Sequence, residues 1–266
     1  QLVNGNSLIG ARRQCYRVEN LQATSKGLRW YENAPERVLM SETRADKNYQ
    51  QHRKQIYHFL LGDPGMCGYS DKVIKSLEPE NIKKMVAWNK KFNEPYSEDD
   101  IATLLRLSAA IDSLWEAQVK LRQEVETKTQ DNLSIYGWED DLVDSHTSIR
   151  QKDRILSELY KSEHMQNAGP YARLKFAMDY WCALWFWPIE KADLLPTRSE
   201  FLFDMSLILE GTVAPIQANE AVKMGQLSFF PSEQEQMVMD IIDTYGVDTI
   251  VDIPALRKQN PRLNLA

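Results

Sequence analysis

Apolar residues dominate one stretch of the chain, residues 171–187, which reads YARLKFAMDYWCALWFW and is followed by Pro188. Its apolar positions recur at helical spacing on two stripes, so the second half of the stretch is apolar on every side. The uncharged run, residues 180–188, is nine residues long, whereas a membrane-spanning helix needs about 20. We therefore predict the covered central helix of a helical domain, with its three tryptophans in the core rather than in a stacking platform for bases or a cofactor.

Amphipathic patterns predict helices on both sides of this stretch. Ser97 and Asp100 have the spacing of a capping box, and the apolar positions after them predict one long helix that runs toward Thr127. Thr197 and Glu200 repeat that spacing before a helix over 201–210. Further helices are predicted after Pro79, over 147–164, after a third capping box at Ser232 and Glu235, and after Asp252, which caps a short last helix.

Strand and turn signals concentrate before residue 71. Residues 56–61 are typical of a buried strand, and the turn-forming Gly62-Asp63-Pro64-Gly65 follows directly. The opening residues 1–10 predict the end of a strand that enters a loop, and residues 35–40 predict a short helix. The expected fold is therefore mainly α: a multi-helix domain over 71–266, preceded by a strand and loop segment over 1–70 with a few short strands.

Charge is distributed unevenly along the chain. Residues 1–60 hold ten basic and five acidic residues, and residues 192–253 hold eleven acidic and two basic residues, within a net charge of −6. The negative total argues against a protein that coats nucleic acid indiscriminately. Two interpretations of the asymmetry stay open: a DNA-facing half with a partner-facing half, or two solvated surfaces of opposite sign that contact each other.

Few residues carry recognisable chemistry. Cys15, Cys67 and Cys182 are odd in number and far apart, which argues for a reducing cytoplasm and against a disulfide framework or structural zinc. The sequence contains no P-loop, nucleophile elbow, HExxH, EF-hand loop or dinucleotide fingerprint, and no export signal. His58 and Asp63 are candidates for an acid–base pair, but a hydrogen-bonded buried histidine and a turn aspartate are the preferred interpretation.

Three strings of the sequence resemble one protein family. GNSLIGARR, residues 5–13, is similar to the third cofactor motif of large adenine-specific DNA methyltransferases of bacterial restriction–modification and phage-defence systems. YHFLLGDPGM with DKV and KSL, residues 57–77, resembles a string of the same enzymes and is far more specific. NPRLNLA, residues 260–266, is similar to the sequence shortly before their catalytic motif. The resemblance covers nearly the whole chain and implies a large helical insertion between the cofactor half and the catalytic half.

The resemblance also implies a chemistry for the parent enzyme, in which S-adenosylmethionine donates a methyl group to the amine of a flipped-out adenine. Asn6, with Ser7 beside it, matches the place where the family contacts the cofactor's adenine, and an amide both donates to and accepts from such an edge. The glycine-rich cofactor loop and the Asn-Pro-Pro-aromatic motif are missing, and Asn260-Pro261-Arg262 has arginine at the second proline. We therefore expect a non-catalytic segment that binds no cofactor in isolation.

Basic residues flank the first two family-like strings, and we expect them to contact DNA phosphates beside the active site. They are Arg12, Arg13, Arg17, Arg53 and Lys54. Restriction or defence subunits are the other expected partners, and no membrane contact is expected. The alternative function is a helical protein–protein interaction module of a defence complex that never touches DNA. The DNA target, the oligomeric state and the role of the DPGM string stay open.

Overall fold

The protein is mainly α-helical with one small sheet near its N-terminus, as predicted. A computed structural model describes residues 10–22, 29–37, 54–130, 148–160, 163–211 and 253–266. The strands are β1 (Gln14–Arg17), β2 (Glu36–Arg37) and β3 (Gln55–Tyr57), in the order β2-β1-β3 with both pairings antiparallel. The α-helices are α1 (Val18–Leu21), α2 (Lys72–Leu77), α3 (Pro79–Phe92), α4 (Glu98–Thr129), α5 (Ile149–Tyr160), α6 (Glu163–Ala168), α7 (Pro170–Ala183), α8 (Arg198–Glu210), α9 (Ile253–Gln259) and α10 (Pro261–Leu265).

The sheet packs on the long helix α4. Tyr57 of β3 is fully buried, and its hydroxyl donates to Asp112 Oδ1 over 2.6 Å. The Tyr57 backbone N–H also points at Ser108 Oγ, 3.4 Å away on the same helix. Asp112 and Ser108 are themselves buried, so these polar contacts fix the register between the sheet and the helix. The core then continues from the other side of α4 onto α7 and α8.

Local capping sets the ends of the long helices as the sequence predicts. Ser97 Oγ accepts from the Asp100 N–H over 3.1 Å, and Asp100 Oδ2 accepts from the Ser97 N–H over 3.3 Å. Thr197 and Glu200 form the same reciprocal box before α8, which ends at Gly211 in the left-handed conformation with φ 78°. The predicted capping box at Ser232 and Glu235, the cap at Asp252 and the strand end over 1–9 lie outside the described residues.

Two short elements differ from the sequence prediction. The predicted strand over 56–61 ends at Tyr57, and His58–Leu60 form a 3₁₀ turn that buries Phe59 and Leu60. A continuous apolar run does not distinguish a strand from a tight helical turn, because both can bury every side chain. The predicted short helix over 35–40 is wrong for Glu36 and Arg37, which pair with β1 as the edge strand β2.

The central helix α7 is shorter and more exposed than predicted. It ends at Ala183, where the Trp185 N–H bonds to the Cys182 carbonyl and the chain begins to turn. The turn buries Trp187 completely but leaves the Phe186 side chain 58% exposed. Tyr171 at the other end is 59% exposed. The prediction of a helix covered on every side is therefore wrong at both ends, although Tyr180 and Trp181 are core residues.

Arg198 at the start of α8 closes the C-terminal end of α3. Its guanidinium donates to the carbonyls of Phe92 over 2.9 Å and of Pro95 over 3.0 Å. The same group stacks over the Tyr96 ring with 4.3 Å between Cζ and the ring centroid. Carbonyls at a helix end have no partner within the helix, so one planar cation satisfies several of them and joins α3 to α8.

We expect Arg198→Lys to lower the free energy of unfolding by about 2 to 3 kcal/mol, because an ammonium cannot reproduce the fork of donors that several carbonyls share. Chemical denaturation followed by circular dichroism measures this change. Arg150→Lys, on the exposed first turn of α5, is the matched control and should stay within about 0.5 kcal/mol of the unsubstituted chain. Equal effects of the two substitutions would contradict the capping role of Arg198.

Candidate functional site

Some of the predicted site residues lie outside the described residues. These are Asn6 and Ser7, expected at the cofactor, and Arg53, expected at DNA. The described members of the site are Arg12, Arg13, Arg17 and Lys54. Arg12 and Arg13 lie just before β1, Arg17 lies at its end, and Lys54 lies just before β3.

The four described basic residues form two groups at opposite ends of the small sheet. Because β1 and β3 are antiparallel, Arg17 and Lys54 lie at one end, where the Val18 N–H donates to the Lys54 carbonyl over 2.9 Å. Arg12 and Arg13 precede β1 at the other end. Arg13 and Arg17 are four positions apart in extended chain, roughly 13 Å along the strand. The sheet therefore does not gather these cations into one cluster.

Two of these arginines already have intramolecular partners. Arg17 Nη2 forms an ion pair with Glu36 Oε1 over 2.7 Å, and Glu36 Oε2 also accepts from Gln55 Nε2 over 3.1 Å. The Arg13 guanidinium lies over the Trp115 ring, 5.7 Å from its centroid. A phosphate would have to compete with these contacts. Arg12 and Lys54 are exposed, and so is Arg17 beside its ion pair.

His58 is a partly buried hydrogen-bond acceptor that joins two family-like strings. Its Nε2 accepts from the backbone N–H of Arg12 over 2.7 Å, and its ring lies edge-on to Trp181 with 5.1 Å between centroids. Burial is the main cause that lowers the pKa of His58, to about 4. The imidazole is therefore neutral near pH 7, with its proton on Nδ1.

Asp63 has a different set of partners from His58. Its Oδ1 accepts from the Gly65 N–H over 2.8 Å, which closes the turn, and burial raises the pKa of its carboxyl group. The Asp63 carbonyl accepts from the amides of Asn89 over 3.1 Å and Asn93 over 3.3 Å, both from the C-terminal end of α3. A hydrogen-bonded histidine and a turn aspartate with separate structural roles agree with these contacts, although His58 is only partly buried.

We call the second family-like string, residues 57–77, the DPGM string. It holds the central helix α7 against the sheet. The Leu61 carbonyl accepts from Trp181 Nε1 over 2.7 Å, and the Cys67 thiol donates to the Leu184 carbonyl over 3.2 Å. The Tyr69 hydroxyl donates to the Trp187 carbonyl. Cys67 has φ 53°, a left-handed conformation that is uncommon for a side-chain-bearing residue. The string therefore has a structural role that the sequence left open.

We expect Gly65→Ala to destabilise the protein by about 1 to 3 kcal/mol, the usual range for overpacking. A Cβ at this position would lie 2.7 Å from Cζ3 of the Trp185 indole. Thermal unfolding measures the effect. Gly10→Ala is the control, because a Cβ added there would have no atom of the described residues within 4 Å. A Gly65→Ala melting temperature equal to that of Gly10→Ala would show that the string does not press on Trp185.

Asn260 of the third family-like string is occupied by structural contacts. Its side-chain oxygen accepts from the Arg262 N–H over 3.0 Å and so caps α10, while Nδ2 donates to Asp204 Oδ1 over 3.0 Å. Arg262 Nη1 forms an ion pair of 2.5 Å with Glu200 Oε1. Both Asp204 and Glu200 belong to α8. Asn260 thus anchors the C-terminal segment to α8. Both polar atoms of its side chain are engaged in these structural contacts.

Two described acidic residues of the C-terminal third pair with cations of the helical domain. Glu210 binds Arg106 over 2.8 Å, and Asp193 binds Lys84 over 2.7 Å. These two pairs lie within residues 71–266, and the Arg17–Glu36 pair lies within residues 1–70. Within the described ranges, no group of three or more His, Cys, Asp or Glu is suited to hold a metal ion. None of the described helices has the combination of length and apolar character needed to cross a membrane.

Comparison with protein-family models, curated proteins and solved structures finds no match to this chain. The methyltransferase resemblance therefore depends on the three strings themselves. The structure shows that these strings contact each other or the neighbouring helices: the first contacts the second through Arg12 and His58, the second contacts α7, and the third contacts α8.

Proposed function

We propose that this chain is the non-catalytic helical insertion of an adenine-specific DNA methyltransferase of the restriction–modification or phage-defence type. In the parent enzyme, bound S-adenosylmethionine supplies the methyl group, and this segment forms a wall of the DNA cleft or contacts a partner subunit. The segment carries out no methyl transfer itself, because the glycine-rich loop and the Asn-Pro-Pro-aromatic motif are not in its sequence.

One observation carries the proposal: the Arg12 backbone N–H bonds to His58 Nε2 across 46 positions of sequence. Arg12 belongs to the string that resembles a cofactor motif, and His58 belongs to the more specific DPGM-containing string. Independent chance similarities would have no reason to lie in contact. A direct bond between them supports one shared structural unit in which the cofactor-side string is held on the helical domain.

The coding sequence on either side of this chain and the activity of the intact parent test the proposal. We expect a glycine-rich cofactor loop encoded upstream, an Asn-Pro-Pro-aromatic motif encoded shortly downstream, and transfer of labelled methyl groups to adenine in DNA by the parent. Titration calorimetry of the isolated 266-residue chain should show no micromolar binding of S-adenosylmethionine. Methyl transfer by the isolated chain, or flanks without both motifs, would overturn the proposal.

A second candidate is a helical protein–protein interaction module that does not contact DNA. The observation in its favour is α2, a helix with no buried residue on which Val73 is 64% and Leu77 is 72% exposed. Val73 and Leu77 are four positions apart and so lie on the same side of the helix, where a partner subunit could cover both. This candidate predicts that the chain binds a partner subunit and has no salt-dependent affinity for DNA.

A further inference from the structure

We draw no further inference here: the strongest candidate, the surface patch that the exposed side chains of Val73 and Leu77 form on α2, carries none because nothing in the described part of the structure shows what covers it.

Discussion

Trp187→Ala is expected to lower the free energy of unfolding by about 3 to 5 kcal/mol, the usual cost of truncating a buried large aromatic residue. The Trp187 indole is fully buried, and its Nε1 donates to the Lys191 carbonyl over 2.9 Å. Its own carbonyl accepts from Tyr69 of the DPGM string. The substitution thus leaves a cavity where the turn after α7 meets that string. It also leaves the Lys191 carbonyl without its indole donor.

The neighbouring residue is the control for this prediction. Phe186→Ala removes an aromatic ring from the adjacent position, but that ring is 58% exposed, so the change should cost no more than about 1 kcal/mol. Urea denaturation followed by tryptophan fluorescence and circular dichroism gives both values. A smaller effect at Trp187 than at Phe186 would mean that the turn has the opposite orientation.

Asp204→Ala is expected to cost about 3 to 5 kcal/mol, because it removes one partner of a buried ion pair and leaves the others unsatisfied. Asp204 is fully buried on α8, where it accepts from the Tyr180 hydroxyl over 2.9 Å and from Asn260 over 3.0 Å. Arg262 Nε lies 3.4 Å from its Oδ2. Loss of this carboxylate removes the contacts that hold the C-terminal segment through Asn260 and Arg262. It also leaves the buried Tyr180 hydroxyl without its acceptor.

The pH dependence of stability gives a second measurement of Asp204. Burial raises its pKa above the usual value of 3.8, against the opposing effect of Arg262. The contribution of this group is therefore fully present below its unfolded pKa and decreases as the pH rises through the folded value. The Asp204→Asn variant lacks this titrating group, so its stability should not decrease for this reason. The difference in unfolding free energy between the variant and the unsubstituted chain should therefore change between the unfolded and the folded pKa of Asp204. A constant difference would show that Asp204 does not titrate in the folded protein.

Features set by a few neighbouring residues were predictable from the sequence. The capping boxes at Ser97 and Thr197 and the glycine end of α8 follow from short-range hydrogen bonds and from the φ preference of glycine. The buried positions of Tyr180 and Trp181 follow from helical periodicity. In each case the relevant partners are within one or two helical turns, so the local sequence contains the information.

Features that depend on distant partners were not predictable in this way. Nothing near Phe186 and Trp187 in sequence indicates which ring faces solvent, because that depends on the turn after Ala183 and on Tyr69. Likewise, counting charges along the chain singled out residues 1–60, whereas Arg17 in that region is paired with Glu36.

The contacts of the DPGM string have a consequence for the order of folding during synthesis. Trp181 reaches Leu61 across 120 positions, and Leu184 reaches Cys67 across 117 positions. The β3 end of the core therefore stays incomplete on the ribosome until the chain beyond Trp187 has left the exit tunnel. Pairings of such long range close slowly and leave apolar surface open to aggregation in the meantime. We expect truncations that end before α7 to leave the apolar core around β3 uncovered and to accumulate as insoluble protein.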